Sequence, residues 1–151
     1  MSRVFLSGSM RGGRRLVETY RFMADVMLSE GVEVLSEHVA RETVFDDERG
    51  MSEQEIFMRD VGGIEQCDCL VAEVSVHSIG VGYEICYAVG LEKPVLCVYE
   101  RDSNVSAMVL GNKEVVAQSY GDPDELRQLV LGFVGSVESG EHVSKKVKNN
   151  G

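Results

Sequence analysis

The sequence predicts a single α/β domain, built on a parallel sheet of about five strands with helices on both faces. Short apolar segments alternate along the chain with longer segments whose apolar residues recur at helical spacing. The strand segments are apolar throughout, which is typical of parallel strands buried on both faces. A chain of 151 residues is long enough for one domain with a full core.

Local signals place each element in order. Strands are predicted at 4–6, 32–35, 69–74, 95–99 and 115–119. Helices are predicted at 16–28, from 53 through 64, in the segment that follows residue 78, and at 123–137. Ser52-Glu53-Gln54-Glu55 is a capping box, and Gly31 ends the first helix. Asp122 and Pro123 combine an N-cap with a proline at the first helical position.

Two segments are predicted to lack regular structure. The first is a polar, acidic loop at 36–50, between the second strand and the second helix. The second is the stretch 138–151, which is polar, ends in lysines and asparagines, and is predicted to be a disordered tail. The folded domain is therefore expected at 1–137.

The composition restricts the kinds of partner and the cellular compartments that are expected. A formal net charge of −10 argues against a polynucleotide partner but allows one small anion held by local donors. The four cysteines lack zinc-type spacing, and three lie in apolar runs (Cys69, Cys86 and Cys97), so buried free thiols in a reducing compartment are predicted. The chain shows neither a signal-peptide pattern nor an apolar run of membrane-spanning length. We therefore expect a cytoplasmic protein, or a nuclear one if the source is eukaryotic.

The segment from Ser78 to Glu84 is the most informative motif. Small residues lead directly into a helix, where backbone N–H groups and the helix dipole favour an anion such as phosphate. We expect Glu84 to lie in the first turn of that helix, where the same dipole favours its ionised form. A phosphate cradle beside an ionised carboxylate suggests chemistry on a phosphorylated sugar.

Other polar clusters are expected at the same edge of the sheet. The carboxyl ends of strands one, two and three are followed by polar residues at 8–15, 37–38 and 75–84. A second carboxylate there would suit cleavage of a glycosidic bond, and Asp60 and Glu73 are the candidates. Taken singly, Glu84 and Asp60 could be solvated helix charges, and His38 could be structural or could contact a ligand.

The loop from Gly8 to Arg15 is neither G-x-G-x-x-G nor a Walker A motif, which disfavours a dinucleotide or triphosphate site. Its arginines could be solvated, or Arg11 could clamp a phosphate or a base with its planar guanidinium.

Together these motifs resemble the 2'-deoxynucleoside 5'-phosphate N-hydrolases, relatives of the nucleoside 2-deoxyribosyltransferases. The resemblance rests on an ordered set of segments between about residues 4 and 110: 8–13, 37–40, Asp60, 71–74, 78–84, 93–97 and 106–108. It implies a Rossmann-like fold, a nucleoside monophosphate substrate, a homodimer, and no metal or organic cofactor.

The resemblance also implies residue roles. Glu84 would attack C1' of the sugar, and Asp60, carrying a proton through a raised pKa, would assist departure of the base. Ser106 would reach the phosphate from the other subunit of the dimer. The phosphate and the rest of the substrate would be bound by Phe5, Gly8, Ser9, Met10, Arg11, Gly12, Gly13, His38, Ser78, Gly80, Gly82 and Met108.

Two positions bear on the substrate. The transferases place an aspartate where this chain has Ser78, and a serine hydroxyl can donate to a phosphate that a carboxylate would repel. The hydrolases carry a tyrosine where this chain has Phe5, so the preference between ribose and deoxyribose stays open. The sequence favours a nucleoside 5'-monophosphate N-glycosidase. A deoxyribosyltransferase and a nucleotide-binding sensor without turnover are the alternatives.

Overall fold

A computed structural model describes residues 2–10 and 15–141 and confirms the predicted fold: a five-stranded parallel sheet with helices on both faces. The strands are β1 (Arg3–Ser7), β2 (Glu33–Val34), β3 (Cys69–Glu73), β4 (Val95–Glu100) and β5 (Val116–Tyr120). The helices are α1 (Val17–Ser29), α2 (Val44–Glu48), α3 (Glu53–Gln66), α4 (Ile79–Gly90), α5 (Ala107–Leu110) and α6 (Pro123–Glu138). A 3-10 helix spans Glu37–Ala40.

The strand order β2-β1-β3-β4-β5 creates a crevice at one place in the sheet. The chain leaves β1 toward β2 on one side and returns to place β3 on the other side of β1, where Leu6 pairs with Val71. The connections that follow β1 and β3 therefore diverge at their carboxyl ends. Open parallel sheets bind ligands at such a point.

Each face of the sheet has its own hydrophobic core. Strand residues that point to one face pack against α1 and α6, around the fully buried Tyr20 and Met23. Residues that point to the other face pack against α3, α4 and α5, around Phe5 and Leu70. Both faces of the inner strands β1, β3 and β4 are thus buried, which explains why these segments are apolar without alternation.

The structure corrects the predicted loop at 36–50, which contains the 3-10 helix and α2. Val39 and Val44 are buried there, so these turns are held by tertiary packing rather than by a regular apolar period. Cys86 is exposed on α4, against expectation, because its position in that helix faces outward although its neighbours in sequence are apolar. Cys67, Cys69 and Cys97 are buried free thiols.

The ends of the chain need a smaller adjustment. Helix α6 reaches Glu138, one residue into the segment that was predicted as a tail, and most of that segment (142–151) lies outside the described residues. Among the residues that the structure describes, no helix is long and apolar enough to cross a membrane.

Candidate active site

A cavity of about 680 Å³ opens at the crevice between β1 and β3, within the usual size for a small-molecule site. Two carboxyl groups, Glu84 from α4 and Asp60 from α3, line it together. The other described lining residues come mostly from the β1 end and from α2, α3 and the start of α4: Gly8, Met10, Glu48, Glu53, Ile56, Phe57, Val61, Ile64, His77, Ser78, Ile79, Gly80, Val81 and Tyr83.

Glu84 lies in the second turn of α4, not in its first turn as expected from the sequence. The helix begins at Ile79 because the Ser78 side chain caps it, its Oγ accepting from the Val81 N–H at 3.3 Å. The helix dipole acts mainly on the first turn, so it does little to favour ionisation at Glu84. Ser7 Oγ, at the end of β1, donates to Glu84 Oε1 at 3.1 Å.

Burial dominates the chemistry of Glu84 and reverses the predicted protonation state. Burial, together with the negative charge of Asp60, raises the pKa of Glu84 to about 8, although the hydrogen bond from Ser7 and the charge of Arg59 oppose the rise. Glu84 is therefore mostly protonated at neutral pH in the free protein, where an ionised carboxylate was expected.

Asp60 shows the opposite behaviour, also against expectation. Arg59 Nε donates to Asp60 Oδ1 at 2.9 Å, and His38 Nε2 lies 3.3 Å from the same oxygen. Burial acts to raise the pKa of Asp60, but these contacts outweigh it and lower the pKa below its ordinary value. Asp60 is therefore ionised over the whole neutral range.

The pair thus holds one proton at neutral pH, and the proton resides on Glu84. In glycosidases, two carboxyl groups commonly act as a pair. Their different pKa values let one act as the acid and the other as the base or nucleophile. Among the described residues, no group of three or more His, Cys, Asp or Glu could hold a metal ion.

The capped start of α4 lies at one end of the cavity and presents hydrogen-bond donors of the kind that suit an anion. Ser78 Oγ uses a lone pair for the Val81 N–H, so its hydroxyl proton can be donated to a ligand beside the N–H groups of the first helical turn. A second, smaller cavity of about 190 Å³ adjoins this point and is lined by Ser78, Gly82, Ser106 and Met108. The Ser78 and Ser106 segments thus lie side by side within one chain.

The predicted residues of the first loop have different places. Gly8 lines the main cavity, and a Cβ on it would lie 2.8 Å from the Tyr20 ring, so only glycine fits there without a shift. Met10 lines the cavity, while the Ser9 N–H donates to the Tyr20 hydroxyl at 3.0 Å. Phe5 lies in the core against Gly63 rather than on the cavity wall. Arg11, Gly12 and Gly13 lie outside the described residues.

Glu73, the competing carboxylate, is buried away from the cavity. Its side chain accepts from the Ser75 N–H and hydroxyl and from the Tyr120 hydroxyl. It ties together the ends of β3 and β5, and it lines neither the main cavity nor the smaller one.

Sequence reasoning missed three polar residues of the site. Ser7 contacts Glu84, and its place at the end of the first strand was a usable signal. Arg59 directly precedes Asp60 in the sequence and donates to its side chain. Adjacent residues on a helix need not contact each other, so the sequence did not predict this bond. Glu48 bonds to Arg59 from α2, and nothing in the segment predicted as a loop pointed to it.

The chain is similar in sequence to known proteins. The sequence model of the family described as "Nucleoside 2-deoxyribosyltransferase" matches residues 4–135. A Methanosarcina mazei protein named "Putative 2'-deoxynucleoside 5'-phosphate N-hydrolase 1" is 50% identical over 133 residues, covering 87% of this chain and 83% of that protein. The "5-hydroxymethyl-dUMP N-hydrolase" of Tetraodon nigroviridis is 37% identical over 138 residues, covering 87% of this chain and 96% of that protein.

Solved structures share the fold at lower identity. The Clostridium botulinum CMP N-glycosidase BcmB superposes with a TM-score of 0.60 at 23% identity, covering 83% of this chain and 94% of that one. A 2-deoxyribosyltransferase from Bacillus psychrosaccharolyticus superposes with a TM-score of 0.62 at 14% identity, covering 83% of this chain and 90% of that one. The chain belongs to the nucleoside 2-deoxyribosyltransferase family.

Proposed function

We propose that this protein is an N-glycosidase that hydrolyses nucleoside 5'-monophosphates to a free base and a (deoxy)ribose 5-phosphate. The observation that carries the proposal is the pair Glu84 and Asp60, which share one cavity and one proton beside the capped start of α4. The names of relatives at 37–50% identity support N-glycosidase chemistry on nucleotides.

In the first step, Glu84 is the nucleophile. Its proton moves to Asp60 when the substrate fills the cavity, so that Glu84 becomes a carboxylate. An oxygen of Glu84 then bonds to C1' while the C1'–N bond breaks and its electron pair goes to the base. Asp60 gives the proton to the departing base, which neutralises the charge that develops there.

In the second step, water opens the glycosyl ester. A water molecule attacks C1', the bond from C1' to Glu84 breaks with its electron pair returning to the carboxylate, and Asp60 accepts a proton from the water. The products are the sugar 5-phosphate and an enzyme whose pair again holds one proton.

The 5'-phosphate holds the reacting carbon in place. Ser78, Gly80 and Gly82 at the start of α4, together with Arg11, would bind it, and its binding energy would hold C1' against Glu84. Ser78 in place of an acidic residue removes a repulsion and supplies a donor.

We propose further that the protein acts as a homodimer in which Ser106 reaches the phosphate of the partner's site. Apolar side chains are exposed around the phosphate end: Ile79 is 94% exposed and Met108 is 85% exposed, with Tyr83, Phe57 and Leu110 nearby in sequence or on neighbouring helices. Covering them would remove an apolar surface from water. Donation of Ser106 to the site of its own chain is the alternative, because both serines line one small cavity.

The test is release of free base from a panel of ribo- and deoxyribonucleoside 5'-monophosphates and the matching nucleosides, with and without an acceptor base. Hydrolysis predicts release that needs no acceptor and is lost in Glu84→Gln, with monophosphates far better than nucleosides. Release only with an acceptor would indicate a transferase. Tight nucleotide binding without release would indicate a sensor.

A further inference from the structure

Asp60 belongs to a chain of three charged residues that reaches from the cavity to α2. Arg59 Nη2 donates to Glu48 Oε2 at 2.5 Å, and Arg59 Nε donates to Asp60 Oδ1 at 2.9 Å. The Glu48 side chain is only 6% exposed, and the Arg59 side chain is 29% exposed. The guanidinium is therefore fixed between two carboxylates by a charge-assisted bond at each side.

We propose that Arg59, anchored by Glu48, is a positioning residue that fixes the orientation and the charge of Asp60 for the reaction. The proposal rests on the proposed function, in which Asp60 carries the proton to the base. The contacts with Arg59 and His38 both go to Oδ1 of Asp60, so Oδ2 is the oxygen that is left to face a ligand. Without Arg59, rotation of the carboxyl group would exchange the two oxygens.

The charges around Asp60 decide how strongly it holds a proton. Arg59 and His38 contact the Asp60 carboxyl group directly. Glu84 lies across the cavity from it, and Glu48 is joined to it through Arg59. The hydrogen bonds to Asp60 and Glu48 raise the pKa of Arg59 even though burial opposes them, so the guanidinium stays charged. Among the described residues that contact Asp60, Arg59 is the cation that stays charged at every working pH, and it acts together with His38 against the effect of burial.

Arg59→Met removes the charge and keeps the length of the side chain. We expect kcat/KM for the best monophosphate of the panel to fall by about 10- to 100-fold, the range for loss of a hydrogen bond to a charged group. We also expect the pKa of Asp60 to rise, so that an acid limb appears in the pH profile of kcat/KM at a pH where the wild type is flat. A merely structural role would lower the melting temperature without moving this limb.

Three further variants sharpen the test. Arg59→Lys keeps the charge, so it should restore the flat acid side while recovering only part of the rate, because an ammonium cannot span both carboxylates as a fork does. Glu48→Gln removes the competing carboxylate, so it should lower the rate less than Arg59→Met and create no acid limb. Arg49→Met, which breaks an exposed pair with Asp46 on α2, is the matched control and should leave rate and profile unchanged.

A titration of the carboxyl carbons by ¹³C NMR gives a readout that needs no turnover, with Asp60→Asn used for assignment. The inference predicts a higher Asp60 midpoint in Arg59→Met and an unchanged midpoint in Arg49→Met. An unmoved midpoint, or a rate in Arg59→Met that equals or exceeds that of the wild type, would overturn it. If instead the wild type and Glu84→Gln release base equally, the proposed function fails while the NMR result still decides the role of Arg59.

Discussion

Protonation of Glu84 makes the stability of the protein depend on pH in a direction that can be tested. In the unfolded chain this carboxyl group loses its proton near its ordinary pKa of 4.5, whereas in the native protein it keeps the proton up to about pH 8. Between these two values the native state binds more protons than the unfolded state. Raising the pH through this window therefore favours unfolding.

The size of the effect follows from the same two values. At about 1.4 kcal/mol for each pKa unit, the difference between 4.5 and about 8 corresponds to about 5 kcal/mol at pH 9, of which about 4 kcal/mol develops above pH 5. This is a large share of the 5–15 kcal/mol that is typical of a folded domain.

Glu84→Gln removes the titration and keeps an oxygen to accept from Ser7. The free energy of unfolding is measured by urea denaturation followed by circular dichroism. We expect the difference in this free energy between the variant and the wild type to shift in favour of the variant by about 4 kcal/mol between pH 5 and pH 9. Glu30→Gln, at an exposed position at the end of α1, is the matched control and should show no such gain. A difference between Glu84→Gln and wild type that stays constant with pH would refute the reasoning.

Four further outcomes are expected. The rate of base release should fall above about pH 8, where the pair loses its single proton; a rate that rises through pH 8 would mean that the base leaves without it. Ser78→Asp should weaken monophosphate cleavage by about tenfold or more while sparing nucleosides, through like-charge repulsion at the phosphate, and an equal effect on both would remove Ser78 from the phosphate site. Phe5→Tyr should leave the preference between ribose and deoxyribose unchanged, because the Phe5 ring lies in the core rather than on the cavity wall; a shift toward deoxyribose of about 1–3 kcal/mol would show that the added hydroxyl acts on the sugar. Mixing inactive Glu84→Ala and Ser106→Ala chains should restore some activity in hybrid dimers, and failure to do so would favour donation of Ser106 to its own site.

The fold could be predicted because its signals are local. Apolar strand segments, the capping box at Ser52 and the Asp122-Pro123 start of α6 each specify an element from a few adjacent residues, and the structure places those elements within one or two residues of expectation. The region 36–50 could not be predicted in this way. Its turns are held by single buried residues such as Val39, which packs into the core with residues from distant elements and leaves no periodic pattern in the sequence.

The sequence could predict that Glu84 and Asp60 lie together, but not the electrostatics around them. Glu84 and Asp60 were expected at one edge of the sheet, and the structure places both in one cavity. Their protonation states were predicted in the wrong direction for both residues. A pKa depends on burial and on partners from other elements, here Ser7 from β1 and His38 from the 3-10 helix, and these partners come together only when the chain is folded.

The pKa values of Glu84 and Asp60 differ because of the residues that contact each carboxyl group rather than because of burial. Burial pushes both pKa values upward; Asp60 has an arginine and a histidine against it, whereas Glu84 has a neutral hydroxyl and the negative charge of Asp60. The proton on Glu84 also lowers the negative charge of the cavity. Under the proposed function this cavity accepts a phosphate dianion, in a protein whose formal net charge is −10. An ionised Glu84 would repel that dianion before it reached the donors at Ser78 and the start of α4. Under the proposed mechanism, in which Glu84 is the nucleophile, storing the proton on Glu84 until the substrate is bound favours binding first and reaction second, with the same proton then serving the departing base.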